Sequence, residues 1–324
     1  MNVIGIDASK AKLDCAWLRE ENKLKAKTFP NAITGWKELL EWPLKNTGLA
    51  TGQLHFVMEA TGIYHGRLST WLYDAGARVS VVNPAQVKFY AQGLGVRTKN
   101  DKKDSVVLAR YGLKENPRRW QPEAQEIRTL KALVARLDGV GKDLQREQNR
   151  QEKALVSEAP AEVLHSLAQM IGLLESEQQR LGQLIEEHID KHEQLKANKA
   201  LLEGIPGVGK AIATRMPMVI GGRQFDSASR CSAYLGLVPI QHESGSSVKG
   251  RSRLSKAGNP VIRAKPYMAA VAATRYNPDI KAQYGRLTGK GKSKTSALGA
   301  AMRKLVQICF GALKHQQPYQ PQVA

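Results

Sequence analysis

Three cysteines in 324 residues, at positions 15, 231 and 309, lie too far apart to form a CxxC pair. That spacing argues against a zinc finger or a disulfide framework and points to a reduced, cytoplasmic protein. No apolar run approaches the roughly 20 residues needed to span a bilayer, so no membrane partner is expected. The chain opens directly on a strand pattern, which argues against a signal peptide. Acids are scarce at one end: residues 245–324 hold only Asp279 against 15 Lys or Arg, and so supply +14 of the formal +20. Charge this uneven suits a polyanion, nucleic acid first, better than a neutral metabolite.

Three regions separate along the chain. Residues 1 to about 120 alternate short apolar runs (3–6, 54–58, 79–82) with helical patterns near 33–42, 64–75 and 102–114, an α/β arrangement. Residues 121–198 lack strand-like runs. Here Leu130, Leu133, Leu137 and Leu144, then Leu164, Leu167, Ile171, Leu174, Leu181 and Ile185, recur mainly at three and four. Long amphipathic helices forming a coiled coil or helical hairpin are expected, split at Pro160, with the leucine stripe serving as a dimer contact. His188 and His192 have a zinc-like i, i+4 spacing, but no HExxH glutamate accompanies them, and a surface pair is the expectation. Residues 199–324 form a third, mostly helical region with the basic tail.

Four acids stand in settings suited to metal-dependent phosphodiester chemistry. Asp7 and Glu59 each end a short apolar run, as a buried strand does at a sheet edge. Asp101 and Asp104 lie three apart, so one helix would present both on one face. Converging carboxylates suit Mg2+, a hard ion that takes oxygen ligands and leaves positions for phosphate oxygens. The plainer reading is a turn-forming aspartate and a solvated helix face.

Two motifs follow in the third region. Leu201 to Ala213 contains Gly207 and Gly209, which allow a tight turn between helices. Lys210 and the backbone N–H groups beyond it could hold a phosphate, as in a helix-hairpin-helix DNA-binding element. Residues 242–259 combine Gly and Ser with Lys249, Arg251, Arg253 and Lys256, the composition of a phosphate-binding loop. A serine beside these cations could attack phosphorus, although nothing local identifies its base, and a simple phosphate contact is the plainer reading.

Asp7 in its Gly-Ile-Asp strand, Glu59-Ala-Thr-Gly-Ile-Tyr64, Asn83-Pro84 and Asp101-x-x-Asp104 resemble the N-terminal domain of the DEDD transposases of the insertion-sequence one-ten family. Ile205-Pro-Gly-Val-Gly209, Gly236-Leu-Val-Pro239, Glu243-Ser-Gly-Ser-Ser247, Ser255-Lys-Ala-Gly258 and Met302-Arg-Lys-Leu305 extend the resemblance over nearly the whole chain. The tail, with Tyr276-Asn-Pro-Asp-Ile-Lys281 and Lys314-His-Gln-Gln-Pro318, is similar to the one-one-one-one subgroup.

The resemblance implies an RNase H-like, Holliday-junction-resolvase-like catalytic domain (1–120), a helical coiled-coil linker (121–198) and a C-terminal transposase domain (199–324). It implies that Asp7, Glu59, Asp101 and Asp104 coordinate Mg2+ while Ser244 forms a covalent phosphoserine link to DNA, with Ser246 and Ser247 as neighbours. It also implies donor and target DNA as substrates, a structured guide (bridge) RNA as partner, and a homo-oligomer, a dimer assembling to a tetramer, with a site built between subunits. Two departures stand out: Ser105 where the family has Ala, and Pro266 after Lys265, expected to break or kink a helix over 260–275. A junction nuclease using the carboxylates alone, or a non-catalytic nucleic-acid-binding protein, would account for parts of the same pattern.

Overall fold

The computed structural model of the chain describes residues 2–20, 23–60, 62–95, 101–241, 243–244, 248–249, 252–258 and 260–322. It divides into two compact units, 1–122 and 123–324.

The first unit is built on β1 (Asn2–Ala8), β2 (Lys12–Glu20), β3 (Lys23–Pro30), α1 (Ile33–Thr47), β4 (Leu54–Glu59), α2 (Gly66–Asp74), β5 (Arg78–Val82), α3 (Pro84–Gly93) and α4 (Asp101–Glu115). Its sheet has the order β3-β2-β1-β4-β5: the first three strands form an antiparallel meander, and β4 and β5 run parallel to β1 and to each other. Alternate residues face opposite sides. Ile4, Ile6, Leu13, Trp17, Phe56 and Met58 bury against Trp36, Leu39, Leu68 and Leu72 on one side. Val3 and Val57 pack with Val107 and Leu108, and Ala16 and Leu18 with Ala109, on the other side, under α4. The pattern of apolar runs points to β1, β4 and β5 but leaves out β2 and β3. Strand β3 is an exposed edge bearing Lys23, Lys25 and Lys27, and such charge blunts edge-to-edge pairing while erasing any apolar run.

A buried polar link holds β4 and β5 to the chain beyond α4. The Ser80 hydroxyl donates to the Arg118 carbonyl oxygen (2.9 Å), so its oxygen accepts from His55 Nε2 at 2.8 Å. His55 is 0% exposed and its Nδ1 has no partner. Burial, reinforced by the charge of Arg78, lowers its pKa to about 4.

The second unit begins with a hairpin of two long helices, α5 (Gln125–Val156) and α6 (Ala161–Asp190), which pack on each other, with Pro160 as the N-cap of α6. Then follow α7 (Glu193–Glu203), α8 (Lys210–Gly221), α9 (Ala228–Tyr234), the short strands β6 (Pro239–Ile240), β7 (Glu243–Ser244), β8 (Val248–Lys249) and β9 (Arg253–Leu254), and α10 (Pro260–Tyr276), α11 (Pro278–Gly289) and α12 (Lys294–His315). At the base of the hairpin Ile127, Leu130 and Val134 meet Ile185, Ile189, Leu195 and Met218, with Leu133 and Leu137 packed against them, so this part of the leucine stripe, expected at a dimer contact, packs within the chain's own hairpin. His188 and His192 are half-buried here rather than a surface pair. His188 Nε2 donates to the Glu126 carbonyl (2.9 Å) and His192 Nδ1 to the His188 carbonyl (2.7 Å), so the spacing serves helix contacts.

Pro266 does not break its helix. α10 continues through it to Tyr276, and the proline ring is buried, so apolar burial offsets the missing backbone hydrogen bond. A larger core, including Leu202, Ile205, Met216, Cys231, Leu235, Ala273, Leu305 and Cys309, gathers α7 to α12.

His55 predicts a pH response. Between pH 6.5 and about 4 the unfolded chain binds a proton that the folded chain refuses, so stability falls as pH falls through that window. The expected loss is about 3 kcal/mol from this group. Chemical denaturation across pH checks it: His55→Gln should flatten the slope in this window, and an equally steep slope in the variant contradicts the assignment.

Candidate active site and nucleic-acid interface

Asp7 and Glu59 finish two adjacent parallel strands. The β1–β4 register pairs Gly5 with Val57 and Ile6 with Met58, so the next positions, Asp7 and Glu59, end side by side at the C-terminal edge of the sheet. Neighbouring strands are about 4.8 Å apart. Asp7 lies two residues beyond Gly5 and Glu59 two beyond Val57, so both share the sheet face that α4 covers. Asp104 stands one turn before Val107 and Leu108, which bury against this face. Asp101 opens the same helix a turn earlier, and its side chain lies outside the described residues.

Close packing sets where α4 rests. A Cβ on Gly5 would run into the Ser105 carbonyl oxygen and the Ala109 nitrogen, and one on Gly112 would meet side chains of Val57 and Val3. Gly5 and Gly112 thus let the helix backbone approach the strands and bring Asp104 to the end of β1 that carries Asp7. Ser105 is 1% exposed at this contact.

Sequence reasoning missed Asp14. It is the cross-strand partner of Asp7 on β2 and is 5% exposed. Its carboxylate accepts from Thr28 Oγ1 at 2.7 Å and pairs with Lys12 Nζ at 2.8 Å. Burial first, then the charges of Asp14 and Asp7, push the Cys15 thiol well above its ordinary range. The signal that could have exposed Asp14 is the Leu13, Cys15, Trp17 alternation, which places it on the face opposite the apolar residues.

The donors are all oxygen atoms, and Cys15 belongs to the opposite face of the sheet. This set suits a hard divalent cation rather than zinc or copper. Among the described residues no three His, Cys, Asp or Glu side chains already form a metal-sized cluster. The fit therefore lies in donor type and shared face.

In the second unit, Gly207, Gly209 and Lys210 form the turn from α7 into α8. Gly207 has φ +94° and lies against Ala273, where a Cβ would come within 2.7 Å of the Ala273 Cα. Gly209 is the N-cap of α8, and Lys210 is exposed at its first turn. Asn277 Nδ2 donates to the Pro206 carbonyl (3.4 Å), tying the turn to the start of α11.

Ser244 sits on β7, opposite Val248 of β8, with Glu243 opposite Lys249. The side chains of Ser244 and Lys249 and the whole of Arg251 lie outside the described residues, while Arg253 and Lys256 are exposed. Two glycines clamp the base of this segment. A Cβ on Gly236 would strike the Ala257 carbonyl oxygen, and one on Gly258 the Tyr234 carbonyl oxygen, and both residues have positive φ. Ser255 N donates to the Val238 carbonyl (2.9 Å), and β6 pairs with β9. The segments 236–239 and 255–258 thus bind each other and frame the residues between them.

Residues 4–160 match the DEDD transposase family of IS110 elements, and residues 199–285 match the transposase IS116/IS110/IS902 family. The pilin gene-inverting protein of Moraxella lacunata is 33% identical over 323 residues, covering 99% of this chain and 98% of that protein. The chain belongs to the IS110 transposase family. The pilin gene-inverting protein of Moraxella bovis shows the same identity and coverage. The transposase for insertion sequence element IS1111A of Coxiella burnetii is 25% identical over 294 residues, covering 81% of this chain and 78% of that one. This transposase is accordingly a DNA-recombining enzyme with a mixed α/β N-terminal sheet, a mostly helical remainder and, among the described residues, no helix long and apolar enough to cross a membrane.

Gly5→Ala should damage the transposase twice. Overpacking at the strand–helix contact typically costs about 1–3 kcal/mol, and displacing α4 moves Asp104 from the strand carboxylates. A lowered melting temperature together with lost recombination is the expected result; wild-type stability and activity would contradict this account of the contact.

Proposed function

We propose that this transposase is an RNA-guided recombinase that cuts and rejoins donor and target DNA of an insertion sequence through a phosphoserine intermediate. The observation that carries the catalytic part is the β1–β4 register, which sets Asp7 and Glu59 side by side on the face covered by α4, the helix of Asp104. This is the arrangement an RNase H-like nuclease domain requires. Asp7, Glu59, Asp101 and Asp104 are assigned as the residues that hold Mg2+. When bound, the ion would supply charge neutralisation at the phosphate and a lowered pKa for an oxygen nucleophile.

The residues of the chain do the rest. The Ser244 oxygen forms a bond to phosphorus, its proton passes to a base, and the sugar oxygen leaves as an alcohol. Attack by a different DNA end reverses the step and frees the serine, so no phosphodiester is lost to water. Arg253 and Lys256, beside Lys249 and Arg251 in sequence, would offset charge on the phosphate oxygens. Asp14, fixed by Thr28, holds Lys12 beside the carboxylates as a positioning pair.

RNA guidance is inferred from family membership, and the +14 of residues 245–324 supplies a charge suited to a nucleic-acid backbone. Gly207, Gly209 and Lys210 fit a phosphate contact at the start of α8. Assembly as a dimer and then a tetramer, through the α5–α6 hairpin, is supported by Leu155, Val156, Val163, Met170 and Leu173, which remain exposed toward its tip. The Moraxella relatives are named for inverting a pilin gene, and rejoining at two sites in one molecule would give this enzyme the same kind of product.

Purified enzyme incubated with Mg2+, the element's flanking RNA and labelled junction DNA should yield a protein–DNA adduct mapping to Ser244. Ser244→Ala should abolish the adduct and Asp7→Ala all chemistry, while both variants keep binding DNA. Cleavage that persists unchanged in Ser244→Ala would replace this mechanism with a carboxylate-only nuclease. Asp14→Asn should slow recombination about 10–100-fold, and a wild-type rate would remove Asp14 and Lys12 from the site.

A further inference from the structure

We infer that the cleft where α5, α6, α8 and α10 meet binds a phosphodiester of the nucleic-acid backbone. The cleft holds about 560 Å³ and is bounded by Asp138, Lys142, Gln178, Arg215 and Lys265, with Gly141 and Gly182 on the facing hairpin helices. A Cβ at Gly141 would lie in van der Waals contact with the Gln178 amide nitrogen at 3.4 Å, and one at Gly182 would meet open space.

Its charges do not balance. Arg215 is only 8% exposed; Nη2 donates to Asp138 Oδ1 at 2.5 Å and Nη1 to the Ala211 carbonyl at 3.3 Å. Its Nε is buried without a partner. Asp138 is therefore committed to Arg215, and among the described residues Lys142 and Lys265 form no ion pair. Two ammonium groups and the amides of Gln145 and Gln178 border a pocket whose one carboxylate is already used. Lys265 is half-buried and Lys142 exposed, so an anion entering the cleft would meet two ammonium groups that the cleft's own carboxylate does not neutralise.

Phosphate oxygens suit these donors, since ammonium groups serve as point-charge phosphate contacts and amides add direction. Lys265 stands at this cleft, and the ring of Pro266 beside it in the helix is buried. The choice of nucleic acid over a free anion rests on the transposase assignment. Duplex DNA and guide RNA share the backbone chemistry.

The test is binding by the full-length protein without divalent metal, so that it stands apart from the serine mechanism. Labelled duplex DNA and labelled hairpin RNA of equal length are titrated across a range of potassium chloride. Lys142→Gln and Lys265→Gln, singly and together, are compared with Lys153→Gln, an exposed lysine farther along the hairpin. One lost phosphate contact lowers the slope of log affinity against log salt by about 1. A loss for RNA alone assigns the cleft to RNA, a loss for DNA alone assigns it to DNA, and a loss for both marks a shared backbone contact. Unchanged slopes, or an equal loss in Lys153→Gln, overturn the inference. The exposed Lys142 keeps the test valid even if the double variant is unstable.

Discussion

The contact between α4 and β1 is the constraint on which the proposed catalytic arrangement depends. Strand pairing alone puts Asp7 beside Glu59 and Asp14, but Asp104 comes from outside the sheet. Only a helix lying almost on the strand backbone can bring it. Gly5 on the strand, and Ala109 and Gly112 on the helix, remove the side chains that would hold the two elements apart. The apolar contacts of Val3, Val57, Val107 and Leu108 then fix the helix there. Site geometry in this unit is thus a by-product of core packing.

The second unit applies the same economy of side chains to loops. Gly207 lets the α7–α8 turn lie against Ala273, and Gly236 and Gly258 let two distant segments lock backbone to backbone. Each of these three has positive φ and a neighbour where a Cβ would go, so conformation and space both demand glycine. The result is a fixed frame around the short strands that carry Ser244 and Lys249.

Much of this was legible in the sequence wherever one residue type had one job. The apolar runs at 3–6, 54–58 and 79–82 correspond to β1, β4 and β5 because both faces of those strands are buried. β2 and β3 escaped because the first mixes core and site residues and the second is a lysine-bearing edge. Asp14 was hidden for the same reason, since its partner Asp7 becomes a neighbour only through strand pairing. Pro266 misled in the other direction. Local rules treat proline as a helix breaker, whereas here the helix continues with the ring buried. The histidine pair likewise shows a metal-like spacing spent on helix packing.

The C-terminal tail deserves a different description from its basic composition. The Tyr319 hydroxyl donates to Asp279 Oδ2 at 2.7 Å and lies 3.1 Å from Asn277 Oδ1, and the Gln322 amide donates to Asp279 Oδ1 at 3.1 Å. Burial and the Asp279 carboxylate hold the tyrosine pKa up to about 12. Asp279, the lone acid of the last quarter, is itself buried and serves as the peg for this strap, while Asn277 joins it to the α7–α8 turn. A stop codon that trimmed only the final six residues would therefore reach inward, taking the Tyr319 and Gln322 hydrogen bonds from a buried carboxylate and loosening the Asn277 end of the link to that turn.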